Sequence, residues 1–252
     1  GGQSLKTAFE LELLALQPTL DTRVHPDDTG RQHGLWNHTA ETRMVILGTW
    51  FMTRGIELAA AEAHHLQIDE GRRTVSWLLP VSKTDWAAAD TTRSHGCCCR
   101  RSESVTRACP EETHPMCPFH TAKQYLIELA QQKGNRALTS EAHTPLFPSH
   151  KGEFLGKDDV MDIIRRVLGR AGIPTTATDQ FGKTKQLFAQ HSLRVAGAQF
   201  LARKQIDLYV IQVLGRWGSR AVERYVQDAP LARLPSLAQQ VLPPLWVPHV
   251  NN

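Results

Sequence analysis

The chain has 252 residues, 41% hydrophobic and 21% charged, close to the average for globular domains. That length fits one large domain, or one domain plus a fragment, with a core that needs no disulfide staples. No apolar run approaches the roughly 18 residues of a membrane span, no secretory signal pattern is present, and a net charge of +4 is too mild to imply nucleic acid by itself.

The chain opens Gly1-Gly2-Gln3 without an initiator Met, which reads as a piece of something longer. Residues 4–17 have the pattern of a short amphipathic helix ending near Pro18, and residues 21–35 read as a polar linker. A helix is expected from Thr39 to Phe51, then a break at Gly55 and an Ala-rich helix from Ile56 to His65. Leu66–Asp69 and Arg73–Val81 read as strands. Residues 84–120 are expected to be irregular and hold all five cysteines. Helices follow over Thr121–Gln132, Asp158–Leu168, Gln190–Arg203, Leu208–Leu214 and Ser219–Gln227, with a loop at 135–153. The Pro-punctuated tail carries one more short helix, Leu234–Val241. The sum is a mainly α fold with a small antiparallel β-sheet.

Charge is unevenly spread. Between Phe181 and Tyr225 there are eight basic residues (Lys183, Lys185, Arg194, Arg203, Lys204, Arg216, Arg220 and Arg224) against Asp207 and Glu223. This segment is +6 and the rest of the chain about −2. Such a cluster reads either as a phosphate footprint or as a solvated helix face.

Several polar residues sit inside apolar helical patterns. Arg54 is followed three residues later by Glu57, Lys83 lies just beyond a predicted strand in Ser-Lys-Thr-Asp, and His191 and Arg194 share one helical face at i, i+3. Trp217 ends Leu-Gly-Arg-Trp, and Tyr225 follows eight residues on. Taken singly each has an ordinary reading: a helix salt bridge, a solvated lysine, a core histidine, a core tryptophan, a packed tyrosine. Together they suit a phosphodiester. Two guanidiniums clamp non-bridging oxygens, a phenol attacks if a base takes its proton, and a lysine protonates the leaving oxygen.

In this order and spacing the chain resembles the catalytic domain of phage-integrase-type tyrosine recombinases. The family's first box is matched by Arg54 and Glu57 in TRGIELAAAEAHHLQID, and its hairpin lysine by Lys83 in VSKTD. Its second box is matched by His191 and Arg194 in HSLR, its Leu-Gly-(His or Trp) element by LGRW with Trp217, and its nucleophile by Tyr225. The resemblance covers about residues 36–228, with 84–120 as a Cys-rich insertion. It implies the tyrosine recombinase catalytic-domain fold and DNA cleavage and rejoining through a 3′-phosphotyrosyl intermediate. Arg54 and Arg194 would hold the phosphate, with Glu57 ordering Arg54. His191 would assist proton transfer, Lys83 would be the general acid and Trp217 would donate its indole N–H. Lys183, Lys185, Arg216 and Arg220 would contact DNA. No cofactor would be needed for catalysis. The partners implied are double-stranded DNA and a tetramer on synapsed DNA, with no membrane. The protein would lie with DNA, in the nucleus if eukaryotic and otherwise in the cytoplasm.

The family usually carries an N-terminal core-binding domain, for which residues 1–35 are too short. Residues 229–252 form a tail whose Leu231–Leu245 stretch would dock on a neighbouring protomer or on its own domain. Two alternatives stand beside recombination: DNA relaxation of the type IB topoisomerase kind, and a non-catalytic DNA-binding module retaining the fold.

Cys97, Cys98, Cys99, Cys109 and Cys117 lie near His95, His114 and His120. The odd count and the missing signal argue against disulfides. The ligand-like spacing of Cys117 and His120, with Cys97, Cys99 and Cys109, suggests a structural zinc site. The alternative is a set of reduced thiols. Such an insertion would also suit a eukaryotic mobile-element recombinase.

Overall fold

The computed structural model describes Leu16, Leu20 and residues 37–79, 91–99, 114–217 and 222–226. Leu16 apart, the expected helix over residues 4–17 lies outside them, as does the one over 234–241. Helix α1 (His38–Trp50) starts at Asn37, whose side chain accepts from the Ala40 N–H at 2.8 Å. Nearly every α1 residue is buried, on all sides of the helix, so α1 is the central element. It packs against α3 (Pro118–Lys133), α4 (Lys157–Arg170) and α5 (Ser192–Arg203).

Polar residues at buried α1 positions are satisfied. Glu41 is 1% exposed, and its two oxygens receive Arg166 at 2.6 Å and Arg170 at 2.7 Å from α4. Small residues set the distance between α1 and α5. A methyl added at Gly197 would stand 2.2 Å from the Thr49 carbonyl oxygen, and one at Gly48 2.7 Å from Leu193 Cδ1.

The Ala-rich run expected as one helix is α2 (Gly55–Ala59) followed by a 3-10 turn at Ala63–His65. The helix stops because the next residues pair with another segment. Leu146 N–H donates to the Ala61 carbonyl at 2.7 Å and Ala63 N–H to the Thr144 carbonyl at 2.8 Å.

Strands β1 (Leu66–Asp69), β2 (Thr74–Leu79) and β3 (Thr91–Gly96) form an antiparallel sheet in that order, with Leu66 opposite Trp77 and Trp77 opposite Arg93. Val75, Trp77 and Leu79 point inward, and Trp77 meets Phe51 edge-on at 5.2 Å. β3 corrects the expectation of an irregular 84–120. Its sequence, TTRSHG, has no aliphatic residue to mark it, and pairing with β2 makes the strand. A second hairpin, β4 (Thr176–Thr178) and β5 (Thr184–Gln186), was also not expected; all six of its strand residues are exposed, so burial leaves no pattern.

Helix α6 (Leu208–Leu214) starts at Asp207, whose carboxylate accepts from Tyr209 N–H at 2.8 Å. Within the expected 219–227 helix, the described helical residues are α7 (Glu223–Val226). Val222 and Val226 are buried with Met52, Ala198, Leu201 and Ile211 in a second apolar cluster. That cluster holds α6 and α7 against α5.

Candidate active site

The start of α2, the start of α5 and the end of α6 converge beside the second apolar cluster. Arg54 occupies the N-cap of α2, and its backbone N–H donates to Glu57 Oε2 at 2.7 Å. This is the carboxylate half of a capping box. The next residue, Gly55, donates its N–H to the Gln190 carbonyl at 2.9 Å. That bond ties the Arg54 motif directly to the residue before His191.

Glu57 is 2% exposed and also accepts from Arg216 Nη2 at 2.7 Å, with the Arg216 side chain 5% exposed. The Arg54 guanidinium lies 4.0 Å from Glu57 Oε1. Arg194, in the first turn of α5, is 3% exposed. Its Nη2 donates to the Arg216 carbonyl at 2.8 Å, and its Cζ lies 4.6 Å from the centre of the Trp217 ring. That is within the range of a cation–π contact.

The end of α6 explains how Leu-Gly-Arg-Trp builds this. Trp217 N–H bonds the Gln212 carbonyl at 3.1 Å and Arg216 N–H the Val213 carbonyl at 3.2 Å. This is the paired pattern of a Schellman cap, whose left-handed residue is ordinarily Gly. Here Arg216 takes that position with φ +57°, at a cost of roughly 1 kcal/mol. Gly215 stands one residue earlier, and a methyl there would come 1.9 Å from Trp217 Cζ3. Arg216 is thus turned in toward Glu57 while the indole folds back over Gly215.

A fourth arginine joins the cluster and was missed by the sequence reading. Arg93, on β3, donates from Nη2 to the Val213 carbonyl at 2.8 Å. Burial, and then the positive charge of Arg216, hold its guanidinium below the ordinary value. The buried Nε atoms of Arg93 and Arg216 find no acceptor among the described residues. The site therefore gathers four guanidiniums, Arg54 and Arg216 beside Glu57 and Arg194 and Arg93 on the carbonyls at the end of α6. Nothing in the local sequence TTRSHG signals Arg93; only the β2–β3 register brings it here.

The other expected residues are placed as follows. His191 is exposed, at the N-cap of α5. Tyr225 belongs to α7, which packs on α5, the helix that carries Arg194. Lys183 and Lys185 are exposed on the β4–β5 hairpin, next to Phe181, which is 85% exposed. Lys83, Cys109 and Arg220 lie outside the described residues. Cys97, Cys99, Cys117 and His120 form a separate group at the far end of β3 from the 80–90 connection. Of the other tyrosines, Tyr125 is buried and donates to the Leu146 carbonyl at 2.7 Å, and burial pushes its pKa up. Tyr209 is exposed on α6.

Chemically, the arrangement suits an anion. Guanidiniums held in fixed positions by carbonyls, a carboxylate and an indole need no reorganisation when negative charge arrives. Among the described residues no helix is long and apolar enough to cross a membrane.

No protein-family model matches the sequence, and no curated protein does. Solved structures do match. The XerH site-specific recombinase bound to a palindromic difH substrate, in a post-cleavage complex, aligns over 93% of this chain with a TM-score of 0.54 and 16% identity. The XerH pre-cleavage complex with difH aligns over 92% with a TM-score of 0.50 and 17% identity. The chain spans about half the length of these recombinases, 53% and 52%. With its helices around α1 and its small antiparallel sheet, the chain has the tyrosine recombinase fold.

Proposed function

We propose that the protein is a site-specific DNA recombinase or integrase that cleaves and rejoins strands through a 3′-phosphotyrosyl intermediate. The observation that carries this reading is the joining of Arg54 and Arg194, far apart in sequence, through Glu57, Arg216 and Trp217. The resulting cationic cluster lies one helix packing away from the helix of Tyr225.

In this reading Arg54 and Arg194 bind the non-bridging oxygens of the scissile phosphate. Their charge is worth most in the pentavalent transition state, where negative charge is greatest. Tyr225 attacks phosphorus, a P–O bond forms to its phenolic oxygen, and the bond to the 5′ oxygen breaks. The phenolic proton passes toward His191, and Lys83 gives a proton to the departing 5′ oxygen. Trp217 borders the phosphate and holds Arg194 in place. Glu57 and Arg216 position both arginines. Religation runs the same steps backward. The bond energy is kept in the phosphotyrosyl ester, so no nucleotide is consumed and no metal is required for the transfer.

Double-stranded DNA is the partner, with a tetramer on synapsed sites, as befits two paired exchanges. Lys183 and Lys185 on their hairpin, with Phe181 at its tip, and Arg220 would grip the duplex. The Cys-rich segment fits an origin in a eukaryotic mobile element, which would place the protein in the nucleus; a bacterial origin would place it in the cytoplasm.

The test uses nicked duplexes drawn from the DNA flanking the encoding gene, in which the cleaved end diffuses away. Wild type is expected to give a denaturant-resistant protein–DNA adduct, and Tyr225→Phe none. Duplex binding without any adduct would select the non-catalytic module. Efficient relaxation of supercoiled plasmid by monomers would select the topoisomerase reading. Either result overturns the recombinase.

A further inference from the structure

We propose that Cys97, Cys99, Cys117 and His120 form a structural Zn²⁺ site that fastens the end of β3 to the start of α3. The four ligand atoms all lie within 4.8 Å of one another. Cys97 and Cys117 sulfurs are 3.8 Å apart, and His120 Nδ1 is 3.7 Å from Cys97 Sγ and 3.3 Å from Cys99 Sγ. A tetrahedral zinc with Zn–S of ~2.3 Å and Zn–N of ~2.05 Å requires edges of about 3.8 Å between sulfurs and about 3.5 Å from sulfur to nitrogen. Three of the six edges therefore have the dimensions of a zinc tetrahedron, and none exceeds 4.8 Å. A disulfide is excluded between Cys97 and Cys117 as they stand, since 3.8 Å is far beyond the ~2.05 Å of an S–S bond.

The surroundings fit thiolates. Each of the three sulfurs faces a backbone N–H: Cys98 N–H toward Cys117 Sγ at 3.5 Å, Cys99 N–H toward Cys97 Sγ at 3.5 Å, and His114 N–H toward Cys99 Sγ at 3.1 Å. Such donors stabilise coordinated sulfur and orient it. His114 is turned away, its Nδ1 accepting from the Met116 N–H at 3.0 Å. Cys98 is exposed, and although its thiol also approaches the Cys117 sulfur, it lies outside the group of four ligand atoms that converge. The ligand set is thus Cys97-x-Cys99 with Cys117-x-x-His120, and Cys109 is not needed. On binding, three thiols lose their protons to solvent, and three thiolates with one neutral imidazole hold the dication.

Four nitrogen and sulfur ligands leave no open position, so the metal's role is structural. Cys117 is the N-cap of α3 and His120 lies in its first turn, while Cys97 follows β3 directly. The metal would close the connection 100–116 and hold β3, the strand whose Arg93 reaches the arginine cluster. This inference is independent of the recombinase reading, because it concerns metal content rather than cleavage.

The test is metal analysis of the full chain purified without chelator from zinc-supplemented cells, followed by Zn²⁺ and Co²⁺ titration of the reduced protein. The expected result is about one zinc per chain and a cobalt spectrum of tetrahedral thiolate character, with a melting temperature that falls on chelation and recovers on zinc addition. Cys97→Ser and Cys117→Ser should lose the metal, and Cys98→Ser and Cys109→Ser should keep it. Wild type holding less than about 0.2 zinc per chain and failing to take up either ion would overturn the proposal. Loss of metal from Cys109→Ser equal to that from Cys117→Ser would overturn the ligand set.

Discussion

Two glutamates among the described residues are buried among arginines, and they end differently. Glu41, on α1, is 1% exposed, and each of its oxygens has its own guanidinium, Arg166 and Arg170. Glu57, on α2, is 2% exposed, but one oxygen takes both the Arg54 backbone N–H and a single N–H of Arg216. Its other oxygen accepts no hydrogen bond among the described residues and has the Arg54 guanidinium 4.0 Å away. Arg194 and Arg93 add further charge through carbonyls rather than carboxylates. In the first group both guanidiniums hydrogen-bond the carboxylate directly, two positive charges against one negative. The second carries a larger surplus of positive charge, four guanidiniums to one carboxylate, which suits an arriving anion such as a phosphate. The two groups thus differ in degree: two guanidiniums bonded directly to one carboxylate at Glu41, and four gathered with one carboxylate at Glu57.

Substitutions on the two sides should separate sharply. Arg54→Ala or Arg194→Ala should lower the cleavage rate on a nicked duplex by about 10²–10³-fold, with DNA affinity changed far less. Arg166→Ala should leave cleavage per folded molecule unchanged and lower the denaturation midpoint instead. Equal losses of binding and cleavage at Arg194 would erase the distinction.

Arg216→Ala removes the hydrogen-bonded partner of a buried carboxylate. It should cost about 3 kcal/mol in stability, read by urea unfolding, and reduce cleavage as well by releasing Glu57 and Arg194. A loss below about 1 kcal/mol would mean that Arg54 alone balances Glu57.

Gly197→Ala tests how the two helices are held together. Its methyl would stand 2.2 Å from the Thr49 carbonyl oxygen, so α5 must shift off α1 at about 1–3 kcal/mol. Because α5 carries Arg194, cleavage should fall with stability. An unchanged melting temperature would contradict the close contact.

The smallest effect is expected at the surface. The double variant Lys183→Ala, Lys185→Ala should weaken DNA binding and reduce the slope of log affinity against log salt by about 1–2, with cleavage at saturating DNA retained. An unchanged slope would place this hairpin off the DNA.

Much of the architecture was legible because burial leaves a period in the sequence. Helix α4 and strand β2 fall where their apolar spacing predicts, whereas α1, buried on all sides, was bounded by the break before Gly55 and not by a one-sided period. β3 and the β4–β5 hairpin were not legible, since TTRSHG and the exposed TAT and TKQ segments are marked by pairing and not by burial. The Ala-rich run misled for the opposite reason: its helical propensity is overridden at Ala61 and Ala63 by bonds to Thr144 and Leu146. In the site, Arg54, Glu57 and Arg194 were readable from local motifs that each begin a helix. Arg216 was read as a DNA contact on charge, and the left-handed cap that turns it toward Glu57 has no signature in Leu-Gly-Arg-Trp. Arg93 depends on strand register, which one sequence does not reveal. Among the candidate zinc ligands, Cys97, Cys99, Cys117 and His120 were readable from type and spacing, while their grouping needed the fold.

The most direct test of the account is the identity of the residue that becomes attached to DNA. After trapping on a nicked duplex, nuclease and protease digestion should leave one nucleotide-bearing peptide, with the phosphate on Tyr225. A modified peptide carrying Tyr209 instead, or no modified peptide from wild-type protein that binds the same duplex, would contradict it.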